Sequence, residues 1–233
     1  MRVLLISNST QHGSGYLEHC AGEVQDFLAG CERVAFVPYA LFDHDDYAMA
    51  VKAAFKGMGF DVRSTHASDS PVAALDDADA IFVGGGNTFR LLNKLYETDL
   101  LTAIRDRVRD GMPYMGASAG SNVACASLRT TNDMPIVQPP SFEAMALLPF
   151  NLNPHYLDPT PGSRHMGETR ETRIREFHEE NDQPVVGLRE GGLLRVEDDT
   201  MTLKGSAGAR VFRRHAEPQE FEPGADMSEL LQG

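Results

Sequence analysis

Residues 112–125 read MPYMGASAGSNVAC, and this stretch predicts the fold more directly than any other. An apolar segment, Met112 to Met115, leads into the small-residue turn 116–120, which fits the pattern G-x-S-x-G. The residues from Ser121 onward are compatible with a helix. A strand, a tight turn and a helix together form a nucleophile elbow, which would present Ser118 at its apex. A turn that only packs a helix onto a sheet also favours small residues, so the pattern alone leaves both readings open.

Strand-like and helix-like segments alternate on both sides of this turn. Continuous apolar strands separated by helices indicate an α/β fold with a mostly parallel sheet and helices on both faces. After residue 126 the chain becomes irregular and rich in proline before regular patterns return. The patterns predict strands at 3–6, 33–38, 60–63, 80–83, 112–115, 185–188, 193–196, 201–203 and 210–212, and helices at 16–28, 46–58, 71–75, 89–108 (one helix or two) and 169–180.

The length of 233 residues suits one α/β domain, which we expect to span residues 1–214. The last segment, 215–233, carries five acidic residues and no basic ones from Ala216 onward. Such a composition predicts an acidic, loosely attached C-terminal tail.

Charge and cysteine content exclude several classes of protein. With 34 acidic against 21 basic residues the net charge is −13, which disfavours nucleic-acid and anionic membrane partners. Three widely spaced cysteines, Cys20, Cys31 and Cys125, argue against a disulfide framework and a cysteine-rich zinc site. The apolar run at 3–6 is too short for a signal peptide, and no run approaches a membrane span. We therefore expect a cytoplasmic protein.

A second glycine-rich turn, Gly84-Gly85-Gly86-Asn87-Thr88, also follows an apolar strand and precedes a helix. A phosphate cradle is one use for such a loop, but neither G-x-G-x-x-G nor a following Gly-Lys-Ser/Thr is present. The other use is an oxyanion hole, in which the N–H of Gly85 or Gly86 and that of Ala119 bind one carbonyl oxygen. An ordinary turn would explain one glycine better than three.

A catalytic serine needs a base and a group that orients the base. Of the eight histidines, His155 follows a proline in a short extended loop, which suits a ring that must hold its angle to a hydroxyl. Glu190, in a turn after the strand 185–188, and Asp133, in a polar turn beyond the elbow, compete as the orienting carboxylate. Both turns also fit ordinary turn chemistry, and the pattern does not decide between the two acids.

From residue 2 to about residue 212 the chain resembles peptidase E, the α-aspartyl dipeptidases. The resemblance implies a cofactor-independent serine peptidase, related in fold to glutamine amidotransferases, that cleaves dipeptides with an N-terminal aspartate. It implies that Ser118 is the nucleophile and His155 the base of a catalytic triad. Asp133 and Glu190 are both candidates for the acid that completes the triad. We favour Glu190 because it leaves a strand end, and expect Asp133 to matter as well. The segments that carry the resemblance are 7–10 (SNST), 84–89 (GGGNTF), 116–122 (GASAGSN), 130–137 (TTNDMPIV), 153–155 (NPH) and 167–170 (GETR).

A substrate with an aspartate side chain brings a carboxylate to an acidic protein, so a cation must bind it. On a helix over 169–180, Arg170 and Arg173 share a stripe with Ile174 and Phe177, which should face the protein. Either arginine could instead pair with an acid or lie along the surface. The resemblance at 167–170 selects Arg170, and we expect Asn87 to contact the substrate too.

We therefore expect a dipeptidase that acts on Asp-X through an acyl-enzyme, without metal or cofactor, as a monomer or homodimer. One alternative is a cyanophycinase-like peptidase that cleaves β-aspartyl linkages, which would use the same serine and base. Another is a non-catalytic module that binds a nucleotide at the glycine loop.

Overall fold

The computed structural model describes residues 1–159, 162 and 167–232. Eleven strands form two sheets, and six α-helices surround them in the described part of the chain. The strands are β1 Arg2–Ile6, β2 Arg33–Val37, β3 Asp61–Ser64, β4 Ala80–Val83, β5 Tyr114–Ala117, β6 Asn151–Pro154, β7 Val185–Leu188, β8 Gly192–Glu197, β9 Thr200–Gly205, β10 Ala209–Phe212 and β11 Gln219–Phe221. The helices are α1 Ala21–Phe27, α2 His44–Met58, α3 Thr88–Glu97, α4 Leu100–Arg109, α5 Ala119–Ala124 and α6 Arg170–Glu180.

The larger sheet has seven strands in the order β3-β2-β4-β5-β1-β8-β9. The first five are parallel, while β8 and β9 are antiparallel to their neighbours. The mostly parallel sheet predicted from the apolar strands is confirmed. Because parallel strands end at one edge, the turns after β1, β4 and β5 lie together.

Alternate residues of the buried strands face opposite sides of this sheet. In β1, Val3 and Leu5 pack on the side of α3, α4 and α5, whereas Leu4 and Ile6 pack on the side of α1 and α2. All four side chains are inaccessible to solvent. Each contributes about 1.5–3 kcal/mol by burial, which fixes the helices to both faces as predicted.

The second sheet was not predicted as a separate element. It has the order β11-β10-β7-β6, with β6 and β7 parallel and the other pairs antiparallel. Helix α6 covers it through Ile174 and Phe177, which pack with Tyr156, Val185 and Phe212. The predicted strands 185–188 and 210–212 are correct, but apolar patterns reveal the existence of strands and not their partners.

The C-terminal segment is part of the fold, so the expectation of a loosely attached tail is wrong for residues 219–232. Strand β11 pairs with β10, and the Met227 N–H donates to the Met201 carbonyl over 2.8 Å. Met227 and Leu230 are buried in the main core. The prediction was based on the acidic composition of the whole segment, which does not register a few apolar side chains. Burial of those side chains is enough to anchor the segment.

Several elements differ from prediction, among them the helix expected at 71–75, which is only a 3-10 turn at Ala73–Leu75, and three of the boundary differences have local reasons. The helix expected from residue 16 begins late, because Leu17 has a positive φ and a single 3-10 turn precedes α1. The pattern at 89–108 is two helices, separated where Asp99 has φ 59°. The strand expected at 112–115 starts after Pro113, which has no N–H to donate to a ladder.

Candidate functional site

Ser118 sits at the apex of a strained turn between β5 and α5. Its φ of 51° and ψ of −108° are rare for a residue with a side chain and cost on the order of 1–3 kcal/mol. The Ser118 N–H donates to the Ile6 carbonyl at 2.9 Å, which holds the turn against the end of β1. A Cβ on Gly120 would overlap the Val83 carbonyl, and one on Gly116 would lie 2.5 Å from the Gly120 oxygen. The small residues are therefore required by close backbone approach.

A chain of two hydrogen bonds links the serine to a histidine and a carboxylate. Ser118 Oγ lies 2.9 Å from His155 Nε2, and His155 Nδ1 lies 2.7 Å from Glu190 Oε1. These distances suit proton transfer from the hydroxyl and orientation of the ring. The His155 and Glu190 side chains are 39% and 53% exposed, so a substrate can reach the site.

The pairing of β6 with β7 brings the histidine and the carboxylate together. The two strands are parallel, and Pro154 lies opposite Leu188 at their carboxyl ends. His155 follows directly at φ 53°, and Glu190 follows two residues after Leu188. Neighbouring parallel strands thus place base and acid at one edge.

Ser7 and Asn8, at the end of β1, form hydrogen bonds with the loop that carries His155 and with the loop that carries Glu190. Ser7 Oγ accepts the His155 N–H at 3.0 Å and donates to the Leu188 carbonyl at 2.8 Å. Asn8 Oδ1 accepts the Gly191 N–H at 2.7 Å. Both residues are almost fully buried; their segment, 7–10, carries part of the family resemblance, but no role was predicted for either. The sequence does contain a signal for a role at the site, since these two polar residues directly follow a fully apolar strand.

Each glycine of the loop after β4 meets a different neighbour. A Cβ on Gly84 would overlap the Tyr47 hydroxyl, one on Gly85 would lie 3.1 Å from Ser118 Cβ, and one on Gly86 would lie 2.6 Å from the Ala40 carbonyl oxygen. A Cβ is therefore excluded at positions 84 and 86 and would be tightly packed at position 85. The loop passes directly beside the serine, where the sequence predicted it.

Two backbone donors near the serine are available to a ligand. Within the described ranges, neither the Gly86 N–H nor the Ala119 N–H donates to a protein acceptor. Burial raises the pKa of Tyr47, while hydrogen bonds from Tyr16 and from the backbone of Gly85 oppose this shift. Gly85 and Gly86 both stay candidate partners of Ala119 in an oxyanion hole.

Asp133 does not contact the His155 ring. Its Oδ2 accepts hydrogen bonds from the Thr88 N–H at 2.7 Å and from Thr88 Oγ1 at 2.5 Å, beside the start of α3. Asn132 Nδ2 donates to the Pro154 carbonyl at 2.7 Å, directly before the histidine. The loop that carries Asp133 thus joins the glycine loop to the histidine strand.

Asn87 caps α3 rather than pointing freely into the site. Its Oδ1 accepts the Arg90 N–H at 3.0 Å, and its Nδ2 donates to the Met134 carbonyl at 2.9 Å. The predicted contact with substrate would compete with these bonds. The contact of Asn87 with substrate therefore stays a prediction.

Arg170 opens α6 and forms no ion pair within the described residues. Burial lowers the pKa of its guanidinium, Arg173 adds to this effect and Asp133 opposes it. Arg173 lies 3.4 Å from Glu168 and is half exposed. Arg170 is thus the less solvated of the two arginines, whereas Arg173, which the stripe with Ile174 also placed toward the interior, is exposed.

Two features are absent from the described part of the chain. No three His, Cys, Asp or Glu side chains come together as ligands for a metal ion. No helix there combines the length and the apolar character that crossing a bilayer requires.

Known proteins match most of the chain. Residues 3–204 match the model of peptidase family S51. The chain is 62% identical over 231 residues to a Streptomyces coelicolor protein named "Peptidase E", covering 99% of this chain and 95% of that protein. It is 52% identical over 233 residues to a Drosophila melanogaster protein named "Probable alpha-aspartyl dipeptidase", covering 99% and 97%.

A solved structure shares the fold. The crystal structure of a peptidase from an acI-B1 Actinobacterium superposes with a TM-score of 0.74, at 16% identity, over 97% of this chain and 96% of the other. The extent of the sequence matches settles the relationship, and the resemblance seen in the motifs is confirmed: the chain belongs to peptidase family S51.

Proposed function

We propose that this protein is a serine dipeptidase that hydrolyses dipeptides with an N-terminal aspartate. The observation that carries the proposal is the hydrogen-bonded chain from Ser118 through His155 to Glu190. The name of the Drosophila relative supplies the substrate class.

In this mechanism Ser118 Oγ attacks the carbonyl carbon of the aspartyl residue while its proton passes to His155 Nε2. Glu190 stabilises the imidazolium through Nδ1. The oxygen of the tetrahedral intermediate becomes negative and binds to the N–H of Ala119 and to that of Gly85 or Gly86. His155 then gives its proton to the leaving amine, and the C–N bond breaks to leave an aspartyl ester on Ser118.

Water completes the cycle. His155 Nε2 takes a proton from the water molecule as its oxygen attacks the ester carbonyl. The second tetrahedral intermediate collapses, aspartate leaves and the proton returns to Ser118 Oγ. Every proton movement uses His155, so no metal or cofactor is needed.

Substrate selection is assigned to Arg170. Its guanidinium is partly removed from water and has no acidic partner in the described chain, so it can bind the aspartyl carboxylate at two points. Asp133 holds the adjoining loop to the start of α3 and adds negative potential near Arg170. In this account Asp133 is a positioning residue.

A panel of dipeptides tests the proposed function. We expect hydrolysis of Asp-X, with Asn-X, Glu-X and β-aspartyl dipeptides cleaved far more slowly. Preference for β-aspartyl linkages would support the cyanophycinase-like alternative. Absence of hydrolysis and of labelling by a phosphonyl fluoride would support a non-catalytic module.

We also propose that the protein works in the cytoplasm, as a monomer or a homodimer. Cys20, Cys31 and Cys125 are free thiols, which suits a reducing compartment. Burial raises the pKa of Cys20 to about 12, so this thiol stays protonated. Cell fractionation and light scattering test the two statements.

A further inference from the structure

Arg189 lies directly before Glu190 and reaches across to the loop that carries His155. Its Nε and Nη2 atoms donate to the two carboxylate oxygens of Asp158, and both hydrogen bonds are 2.7 Å long. Its Nη1 lies 3.0 Å from Glu220 Oε2, and its guanidinium carbon lies 5.6 Å from the centre of the Tyr156 ring. Arg189 therefore contacts both residues 156 and 158, which follow the catalytic histidine closely.

We propose that Arg189 is a positioning residue that, with Asp158, sets the separation between His155 and Glu190. The proposal rests on the catalytic roles assigned above to those two residues. A two-point contact between a planar guanidinium and a carboxylate fixes orientation as well as distance. Since the contact joins the two loops that carry the base and its orienting acid, it controls the bond from Nδ1 to Oε1.

This contact complements the one made by β1. Ser7 and Asn8 hold the backbone of the two loops at the ends of β6 and β7. Arg189 and Asp158 join the same loops through side chains, one residue before Glu190 and three residues after His155. With both contacts in place, neither loop can shift without breaking hydrogen bonds.

The C-terminal strand supports the same contact. Glu220 of β11 lies near both Arg189 and Arg210, and Arg210 Nη2 lies 3.2 Å from Glu171 at the start of α6. The hydrogen bond from Arg189 holds the pKa of the Asp158 carboxyl below its usual value. The ion pairs thus connect the loop of the base, the loop of the acid and the helix that begins with Arg170.

The chain provides a matched control in Arg195. This arginine also pairs with several acids, at 2.8 Å from Glu23 and 2.8 Å from Glu197, and lies over the Phe27 ring at 5.8 Å. Its side chain is 14% exposed, against 23% for Arg189. Removing it breaks a comparable network that includes none of the catalytic loops.

The test compares Arg189→Gln with Arg195→Gln on an Asp-X dipeptide. We expect Arg189→Gln to lower kcat by about 10- to 100-fold with KM nearly unchanged, because a misplaced base slows the chemical steps without weakening substrate binding. We expect Arg195→Gln to lower Tm by about as much as Arg189→Gln does, because each variant breaks a comparable set of ion pairs. Its kcat should stay within about twofold of that of the unmodified protein. Asp158→Asn, at an exposed position, should reproduce the loss if Arg189→Gln fails to fold.

Two further measurements sharpen the result. Arg189→Lys should recover part of kcat, since an ammonium makes one of the two contacts. The double variant of Arg189→Gln and Asp158→Asn should be no slower than either single variant, because both remove one interaction.

Equal kcat values for Arg189→Gln and Arg195→Gln, or a rise in KM alone, would overturn the proposal. The rate of Ser118 labelling by a phosphonyl fluoride provides the same comparison without a peptide. It tests the role of Arg189 even if Asp-X dipeptides prove not to be substrates, so failure of the proposed function and failure of this inference are distinguishable.

Discussion

At the scale of single residues, the site divides two acids between two tasks. Glu190 contacts the ring of the base, while Asp133 binds Thr88 at the start of α3. Ser118 and His155 could be predicted because each follows a strand or an extended segment. Glu190 could be favoured over Asp133 because it follows a strand, but the pattern could not decide between them, since the contact depends on the pairing of β6 with β7, which no apolar pattern reveals.

The two acids should respond differently to isosteric substitution. Glu190→Gln removes the charge that stabilises the imidazolium and should lower kcat by about 10²- to 10⁴-fold. Asp133→Asn keeps one acceptor for Thr88 and should cost less than about tenfold, since charged hydrogen bonds contribute about 1.5–3 kcal/mol and neutral ones less. Steady-state kinetics on Asp-X would measure both. A larger loss in Asp133→Asn than in Glu190→Gln would reverse the assignment.

Arg173 provides a matched control for testing the role of Arg170 in substrate specificity. Arg170→Ala should lose Asp-X hydrolysis by about 10²-fold or more, because a charged hydrogen-bonded contact with the substrate disappears. Labelling of Ser118 by a small phosphonyl fluoride should be unaffected. Arg173→Ala, which loses only a half-exposed ion pair, should retain both activities. Parallel losses of hydrolysis and labelling in Arg170→Ala would indicate a structural role instead.

At the scale of elements, the site is built from the carboxyl ends of five strands. Turns after β1, β4 and β5 supply Ser7, the glycine loop and Ser118, while β6 and β7 supply His155 and Glu190. The sequence predicted the elbow and the glycine loop because glycine and small residues mark close backbone approach. It did not reveal that Ser7 and Asn8 hold the other loops, because a buried hydrogen bond between distant segments leaves no local pattern.

The elbow offers a direct test of that close approach. Gly120→Ala places a methyl group against the Val83 carbonyl and should destabilise the protein by about 1–3 kcal/mol or prevent folding. Gly57→Ala, inside α2 with no atom within 4 Å of the new Cβ, should instead stabilise it by about 0.5–1 kcal/mol. Urea denaturation measures both changes. Equal stability of the two variants would contradict the packing described for the elbow.

At the scale of the whole molecule, two sheets and the C-terminal segment form one frame around the site. Acidic composition predicted a loose tail, yet residues 219–232 add a strand and bury Met227 and Leu230. The prediction failed because net composition does not register two or three well-placed apolar residues. The sequence predicted a mostly parallel sheet but not the order of its strands, because apolar patterns identify strands without showing which strands are neighbours.

The anchoring of the C-terminal segment can be measured through its methionine. Met227→Ala leaves a cavity in the main core and should lower the free energy of unfolding by about 2–5 kcal/mol. Met49→Ala, at a position 62% exposed, should change it by less than about 0.5 kcal/mol. If Met227→Ala is as stable as Met49→Ala, the segment does not contribute to the core.

The central claim is that Ser118 and His155 act as one unit in the hydrolysis of Asp-X. The most direct measurement is kcat/KM on an Asp-X dipeptide for Ser118→Ala, His155→Ala and the double variant. Each single variant should lose about 10⁴-fold or more, and the double variant should lose little beyond that, because residues that act together are not additive. Near-normal turnover in either folded single variant, or losses that multiply in the double variant, would contradict the account.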